Sequence, residues 1–244
     1  MARRRDEDDV GGRPRSPGEA WSSPHDTTPA KIAAAYEAIV SLGDSGALGE
    51  HATRMRKAFQ RRTGAFGPED PWFESRARAF WDDALVLQGF AALAAPLLDE
   101  DSRAITTSLA RAHRGFFVVE EVDDRGACLL DLWSGAELLI RHLDETQALT
   151  LEHAEGAMDA RVTGGPSGSD LFLLPGAYHH PADTLEPATK VLIAAQERGM
   201  STQAALDALM RMDLVFRSSS RVKAGFAYRV ESLGPAGPAS TRAP

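Results

Sequence analysis

The feature that most constrains this chain is a change of period at Gly115. Before it, apolar residues recur every three or four positions; from Phe116 they alternate every two or stand in short runs bounded by turns. Side chains on one face of a helix recur at 3.6 and on one face of a strand at 2, so the change marks a passage from helices to strands. Helices that precede strands, instead of alternating with them, exclude a βαβ series and its parallel sheet. Past Pro181 the helical spacing returns. The expected fold is α+β. It has a helical region at 28–114 and a small antiparallel region at 115–182, curled as an SH3-like or OB-like partial barrel. C-terminal helices and a closing strand follow at 183–233. Residues 1–27 and 234–244, rich in charge, Gly, Pro, Ala or Ser without apolar period, read as disordered tails.

In the helical region, Thr28 and Pro29 suit the cap and first residue of a helix that Gly43 ends. A second helix near 47–62 is sparsely apolar and basic. Asp70 and Pro71 read as the cap and first residue of a third, with a stripe of Phe73, Ala77, Phe80, Ala84, Leu87, Ala91, Ala94 and Leu98. Past Asp83 it is apolar on nearly all sides, and a helix of that kind is surrounded by protein. Residues 84–98 are therefore expected as a buried central helix. A fourth helix starts at Ser102 behind three acids and stops at Gly115.

The strands are expected at 116–122, 127–133, 136–142, 157–163 and 171–174, with tight turns at 123–126 and Ser134-Gly135. Residues 143–156 read as a looser stretch, and the Gly-rich segment 164–168 as a hairpin loop. Two more helices follow, one capped by Asp183 or Thr184 and one by Ser201, and 224–230 reads as the closing strand.

Composition narrows the function classes. A single cysteine, Cys128, rules out an internal disulfide and a multi-cysteine zinc site. The longest apolar run, 84–98, spans about 22 Å as a helix, short of the roughly 30 Å of a bilayer core. No apolar stretch follows Arg3-Arg4-Arg5, so no signal peptide is expected, and a cytoplasmic location is. Scarce Lys, absent Asn and abundant Arg, Ala and Gly resemble the codon bias of a high-GC bacterial genome, so arginine content alone is no nucleic-acid signature. The chain carries a net charge of −8, unevenly placed. Residues 115–160 hold eleven acids against two bases, and 190–230 hold seven bases against three acids.

No Walker loop, dinucleotide-binding glycine motif, zinc-protease helix motif or nucleophile elbow is present. No cofactor is expected. His180 and Asp183 are the candidate metal ligands, but zinc needs three or four and Asp159 or Asp131 would have to complete the set. A hydrolase reading would join Arg161 to that pair, and the expected place of these side chains is the rim of the sheet. Asp82 and Asp83 point about 100° apart on a helix, so they read as surface or ion-paired acids and not as one site. Cys128 reads as a buried thiol.

Several segments come in a familiar order: Trp81-Asp82-Asp83-Ala84-Leu85, His113-Arg114-Gly115-Phe116-Phe117-Val118-Val119-Glu120, Asp131-Leu132-Trp133-Ser134-Gly135, and Asp159-Ala160-Arg161-Val162. The run from Leu174-Pro175-Gly176 to His180-Pro181, then Ser220-Arg221-Val222-Lys223 and Tyr228-Arg229, completes it. The order resembles a group of uncharacterised bacterial proteins with a helical N-terminal half, a small β domain and a helical tail. Some relatives of that kind carry a SEC-C-type zinc knuckle, whose cysteines this chain lacks. The resemblance implies an architecture and no activity.

Beside the metal-dependent hydrolase reading of His180, Asp183 and Arg161, two functional expectations follow. The first is a non-enzymatic interaction or regulatory module that presents its acidic β region to another protein. The second is a nucleic-acid binder that uses Arg211, Arg217, Arg221, Lys223 and Arg229, helped by Arg54, Lys57 and Arg61. The observation that separates them is whether these basic side chains converge on one exposed face or dock onto the acidic sheet.

Overall fold

The structure, a computed structural model, describes residues 28–44, 46–123, 126–141, 143, 145–165, 170–219 and 221–234. The expected disordered tails, Gly234 apart, and 166–168 of the Gly-rich loop lie outside them.

Helices α1 (Pro29–Asp44), α2 (Gly49–Thr63), α3 (Phe73–Val86), α4 (Phe90–Ala94) and α5 (Glu100–Leu109) come first. The sheet follows as β1 (His113–Asp123), β2 (Gly126–Asp131), β3 (Glu137–Ile140), β4 (Ala157–Gly164), β5 (Leu171–Leu173) and β6 (Tyr178–His180), with α6 (Glu145–Glu152) between β3 and β4. Helices α7 (Leu185–Glu197), α8 (Thr202–Arg217) and the single turn α9 (Ala224–Ala227) close the chain. The sheet is antiparallel throughout, in the order β3-β2-β1-β4-β5, and β6 pairs with the other half of the β4 edge that β5 uses. It curls as a half-barrel between the helical regions. The α+β architecture expected from the change of period is the one observed.

Both faces of the sheet are covered, which explains the adjacent Phe116 and Phe117. Successive strand residues point to opposite faces. Phe116 packs with Val191, Leu192 and Leu209 of α7 and α8, whereas Phe117 packs with Leu129, Ile140, Leu151 and Met158 inside the curl. The first helices form a third core around Tyr36, Phe59, Phe80, Trp81 and Phe90.

Five details depart from the sequence reading. The expected 84–98 helix breaks: the N–H groups of Leu87 and Gln88 both donate to the Asp83 carbonyl, and Gly89 takes a left-handed φ of 77°. The apolar spacing runs on across the break because Phe90 folds back onto Trp81, ring centroids 5.4 Å apart, while Leu87 and Leu97 are left exposed. Asp70 does not cap α3; its carboxylate accepts from the Gly67 N–H, and α3 starts at Phe73. Gly115 does not stop α5, because β1 already begins at His113 and Gly115 lies opposite Ala160 in the sheet. The loose stretch 143–156 contains α6, whose single buried residue, Leu151, gave no apolar stripe to read. The expected closing strand 224–230 is α9 and a 3-10 turn: Ala227 and Tyr228 pack on the α7–α8 core, and Ala224, one helical turn earlier, is buried too.

Candidate functional site

Where β1 and β4 meet α3 and α8, the interior is charged. On β1 the residues that share the face of Phe116 include Arg114, and on β4 they are Asp159 and Arg161. Helix α3 adds Asp82 and Asp83, and α8 adds Asp207 and Asp213 from between its apolar residues. Arg114 donates to both oxygens of Asp159, at 2.8 and 2.5 Å, and to Asp207 at 2.8 Å. Arg62 of α2 bridges Asp207 at 2.6 Å and Asp83 at 2.5 Å, and Arg161 reaches Asp83 at 3.3 Å. Burial opposes charge on Asp207, but Arg114 and Arg62 outweigh it and hold the carboxyl below its ordinary range. Arg76, fully buried, donates to the carbonyls of Thr63 and Met210.

Asp82 is the exception. It accepts from the Tyr36 hydroxyl at 2.8 Å, its Oδ2 has no partner in good hydrogen-bond geometry, and the Gly176 backbone, whose N–H favours the ionised form, packs so closely that a Cβ there would overlap the carboxyl carbon. Burial pushes Asp82 up to about 7 against the pull of Arg161 and Tyr36. Of the two alternatives, surface or ion-paired, Asp83 is the ion-paired one, while Asp82 is buried without an ion pair; both act on Arg161, whose own pKa burial lowers. Arg161 contacts Asp83 directly, at 3.3 Å, and feels Asp82 only through its charge.

His180 is not at the rim of the sheet. Its ring is buried between Phe116, Tyr178 and Tyr228, with Nδ1 2.7 Å from the Tyr228 hydroxyl, which in turn donates to Asp213 at 3.0 Å. Tyr178 donates to the other Asp213 oxygen, where Arg217 also donates at 2.6 Å. Burial lowers the His180 pKa and so favours the neutral ring; because the Tyr228 hydroxyl gives its proton to Asp213, the tautomer that completes the chain carries its proton on Nδ1. Asp183 stays exposed on the turn before α7, and Arg161 pairs with Asp83, so the three residues of the hydrolase reading do not gather.

The basic residues divide into three groups. Arg211 and Arg217 turn inward: Arg211 donates to the Arg62 carbonyl, and Arg217 to Asp213 and, at 2.7 Å, to the His179 carbonyl. Arg54, Lys57 and Arg61 are exposed along one stripe of α2, where Arg54 meets Glu50 of its own helix at 3.9 Å. Arg221, Lys223 and Arg229 converge. They line a groove of about 520 Å³ with Val215, Val222 and Phe226. Phe226 is 62 % exposed and Val215 53 %. The Arg229 guanidinium stacks on the Phe226 ring at 5.3 Å from its centroid, a cation–π geometry.

The expected docking of the basic C-terminal segment onto the acidic sheet runs the other way. The α8 carboxylates carry the ion pairs to the sheet, with Asp207 held by Arg114 of β1, whereas Arg217 reaches a backbone carbonyl of β6 and no sheet acid. Asp131 and Asp159, two of the sheet acids, are spent inside, Asp131 on His113 and on the backbone N–H groups of Phe116 and Trp133.

Cys128 is half-exposed and not buried. It stands on the outer face of β2, its Sγ within 4.8 Å of carboxylate oxygens of Glu120 and Glu137. Burial and those acids raise its pKa, which makes it a poor nucleophile. Three exposed ligand atoms also fall short of the four of a structural zinc site.

The sequence holds a signal for the inner charges, in the alternation Arg114-x-Phe116 and Asp159-x-Arg161 and in Asp207 and Asp213 within the apolar stripe of α8. No family model matches the chain, and no curated protein or solved structure matches it either.

Proposed function

We propose that the protein is a non-enzymatic binding module that holds a single-stranded nucleic acid in the groove of Arg221, Lys223, Phe226 and Arg229. The observation that carries this reading is the stack of Arg229 on an exposed Phe226, with two further cations lining the same groove. Single strands are held by cations that follow the backbone and by aromatic rings on which unstacked bases lie. With a net charge of −8, the rest of the chain repels a polyanion and confines it to this face. A protein partner on the acidic sheet has less support, since Asp131 and Asp159 are paired internally.

The test is fluorescence anisotropy with a labelled oligothymidine, on the wild type and on Phe226→Ala. Phe226 is exposed enough for the variant to fold. Binding that weakens by about tenfold in Phe226→Ala, for a stacking loss of 1–3 kcal/mol, is the expected result. Absence of binding at low salt by the wild type overturns the reading.

A further inference from the structure

A second concave surface lies against the first helical core, and nothing in the groove reading uses it. A cavity of about 610 Å³ opens between α1, α3, α6 and the segment that joins β5 to β6. That volume is in the range of small-molecule sites. Its inner wall is apolar, built from Ile32, Leu151, Leu173 and Leu174. Its polar side chains include charges of both signs: Glu37 of α1, with Glu74 and Arg78 of α3.

These three charges are not spent on one another. Glu74 and Arg78 are one helical turn apart, with the glutamate first, the spacing and order that favour an ion pair. Among the described residues that spacing forms pairs at Arg54–Glu50, Lys190–Glu186 and Arg217–Asp213, and Glu74 and Arg78 form none. Glu37 makes no ion pair among the described residues either. Among the described residues, two exposed carboxylates and an exposed guanidinium therefore line one cavity, and none of the three forms an ion pair.

We infer that this cavity binds a small zwitterion with a large apolar side chain, of the size of a free α-amino acid or a dipeptide. The ligand ammonium meets Glu37 and Glu74, its carboxylate meets Arg78, and its side chain covers the apolar wall. An apolar molecule without charges would use the wall alone and gain nothing from the three charged side chains at the rim. A simple amine or a simple acid would satisfy one sign only. The mixed charge is what selects the class.

The experiment is calorimetric titration of the full chain with Leu-Phe dipeptide and L-phenylalanine, against two half-ligands, 3-phenylpropionate and phenethylamine. The expected result is binding of at least one zwitterion, with both half-ligands at least tenfold weaker. Arg78→Ala, an exposed position, is expected to abolish that binding while its melting temperature without ligand and its oligothymidine affinity stay at the wild-type values. That last comparison separates failure of this inference from failure of the groove reading. No heat from either zwitterion at millimolar concentration overturns the inference. So does equal binding of zwitterions and half-ligands, which would mean an apolar crevice without charge recognition.

Discussion

Arg114 of β1 and Asp207 of α8, 93 positions apart, meet through Nη1 and Oδ1 at 2.8 Å, with neither side chain more than 6 % exposed. The contact fastens the sheet to the C-terminal helices. Through Arg62, the same carboxylate also fastens α2. Three regions that the sequence presents as separate stretches are locked at one aspartate. The expected consequence is cooperative unfolding. Asp207→Asn leaves two arginines, one of them fully buried, short of a counter-charge, and breaking such a pair costs about 3–5 kcal/mol. Urea denaturation followed by circular dichroism measures it, and a loss below about 1 kcal/mol would show that the carboxylate is not the fastening.

Asp82 gives the fold a pH dependence of unusual sign. Its pKa is raised to about 7 in the folded state from an ordinary 3.8, so between those values the folded chain holds a proton that the unfolded chain has released. Stability is therefore expected to fall as pH rises from 4 to 7, by up to roughly 4 kcal/mol if the full shift is expressed. His180 acts in the opposite sense, because its lowered pKa costs stability as pH falls below about 6.5. The two are separated by Asp82→Asn, an isostere of the protonated acid. Its melting temperature is expected to match the wild type at pH 5 and to exceed it at pH 8.5. Parallel profiles for the two proteins would contradict the assignment.

The bond chain from His180 through Tyr228 to Asp213 makes a third prediction. Tyr228→Phe keeps the ring contacts with His180 and Phe216 but removes the hydroxyl that both other groups use. Two buried polar atoms are left unsatisfied, at an expected cost of about 1–3 kcal/mol each. Chemical denaturation of the single variant checks the size. A variant as stable as the wild type would mean that the chain of bonds contributes nothing.

The order of elements was legible because local signals carried it: the change of period at Gly115, the Asp99 carboxylate that caps α5 through the Ser102 N–H, and the Ser201 hydroxyl that caps α8 through the Ala204 N–H. What escaped was set by distant partners. The break at Gly89 hides in an unbroken apolar spacing because Phe90 returns to Trp81 after the chain has turned. Arg114, Arg161, Asp83 and Asp207 read as surface charges on any hydropathy pattern, and only their pairing with opposite charges lets them be buried. Of the eight basic residues marked for a partner, Arg211 and Arg217 are taken by carbonyls and Asp213, while Arg221, Lys223 and Arg229 remain outward. Only folding α9 as a helix, and not as the expected strand, gathers those three around Phe226.

The groove reading is tested most directly by the salt dependence of oligothymidine affinity. Cations that neutralise phosphates of a single strand release about 0.7 counterion each, so three of them give a log–log slope of about −2. The wild type is expected to show that slope, and Arg221→Gln and Arg229→Gln are each expected to reduce its magnitude by about 0.7. A wild-type slope near zero, or one that neither substitution changes, would contradict the account.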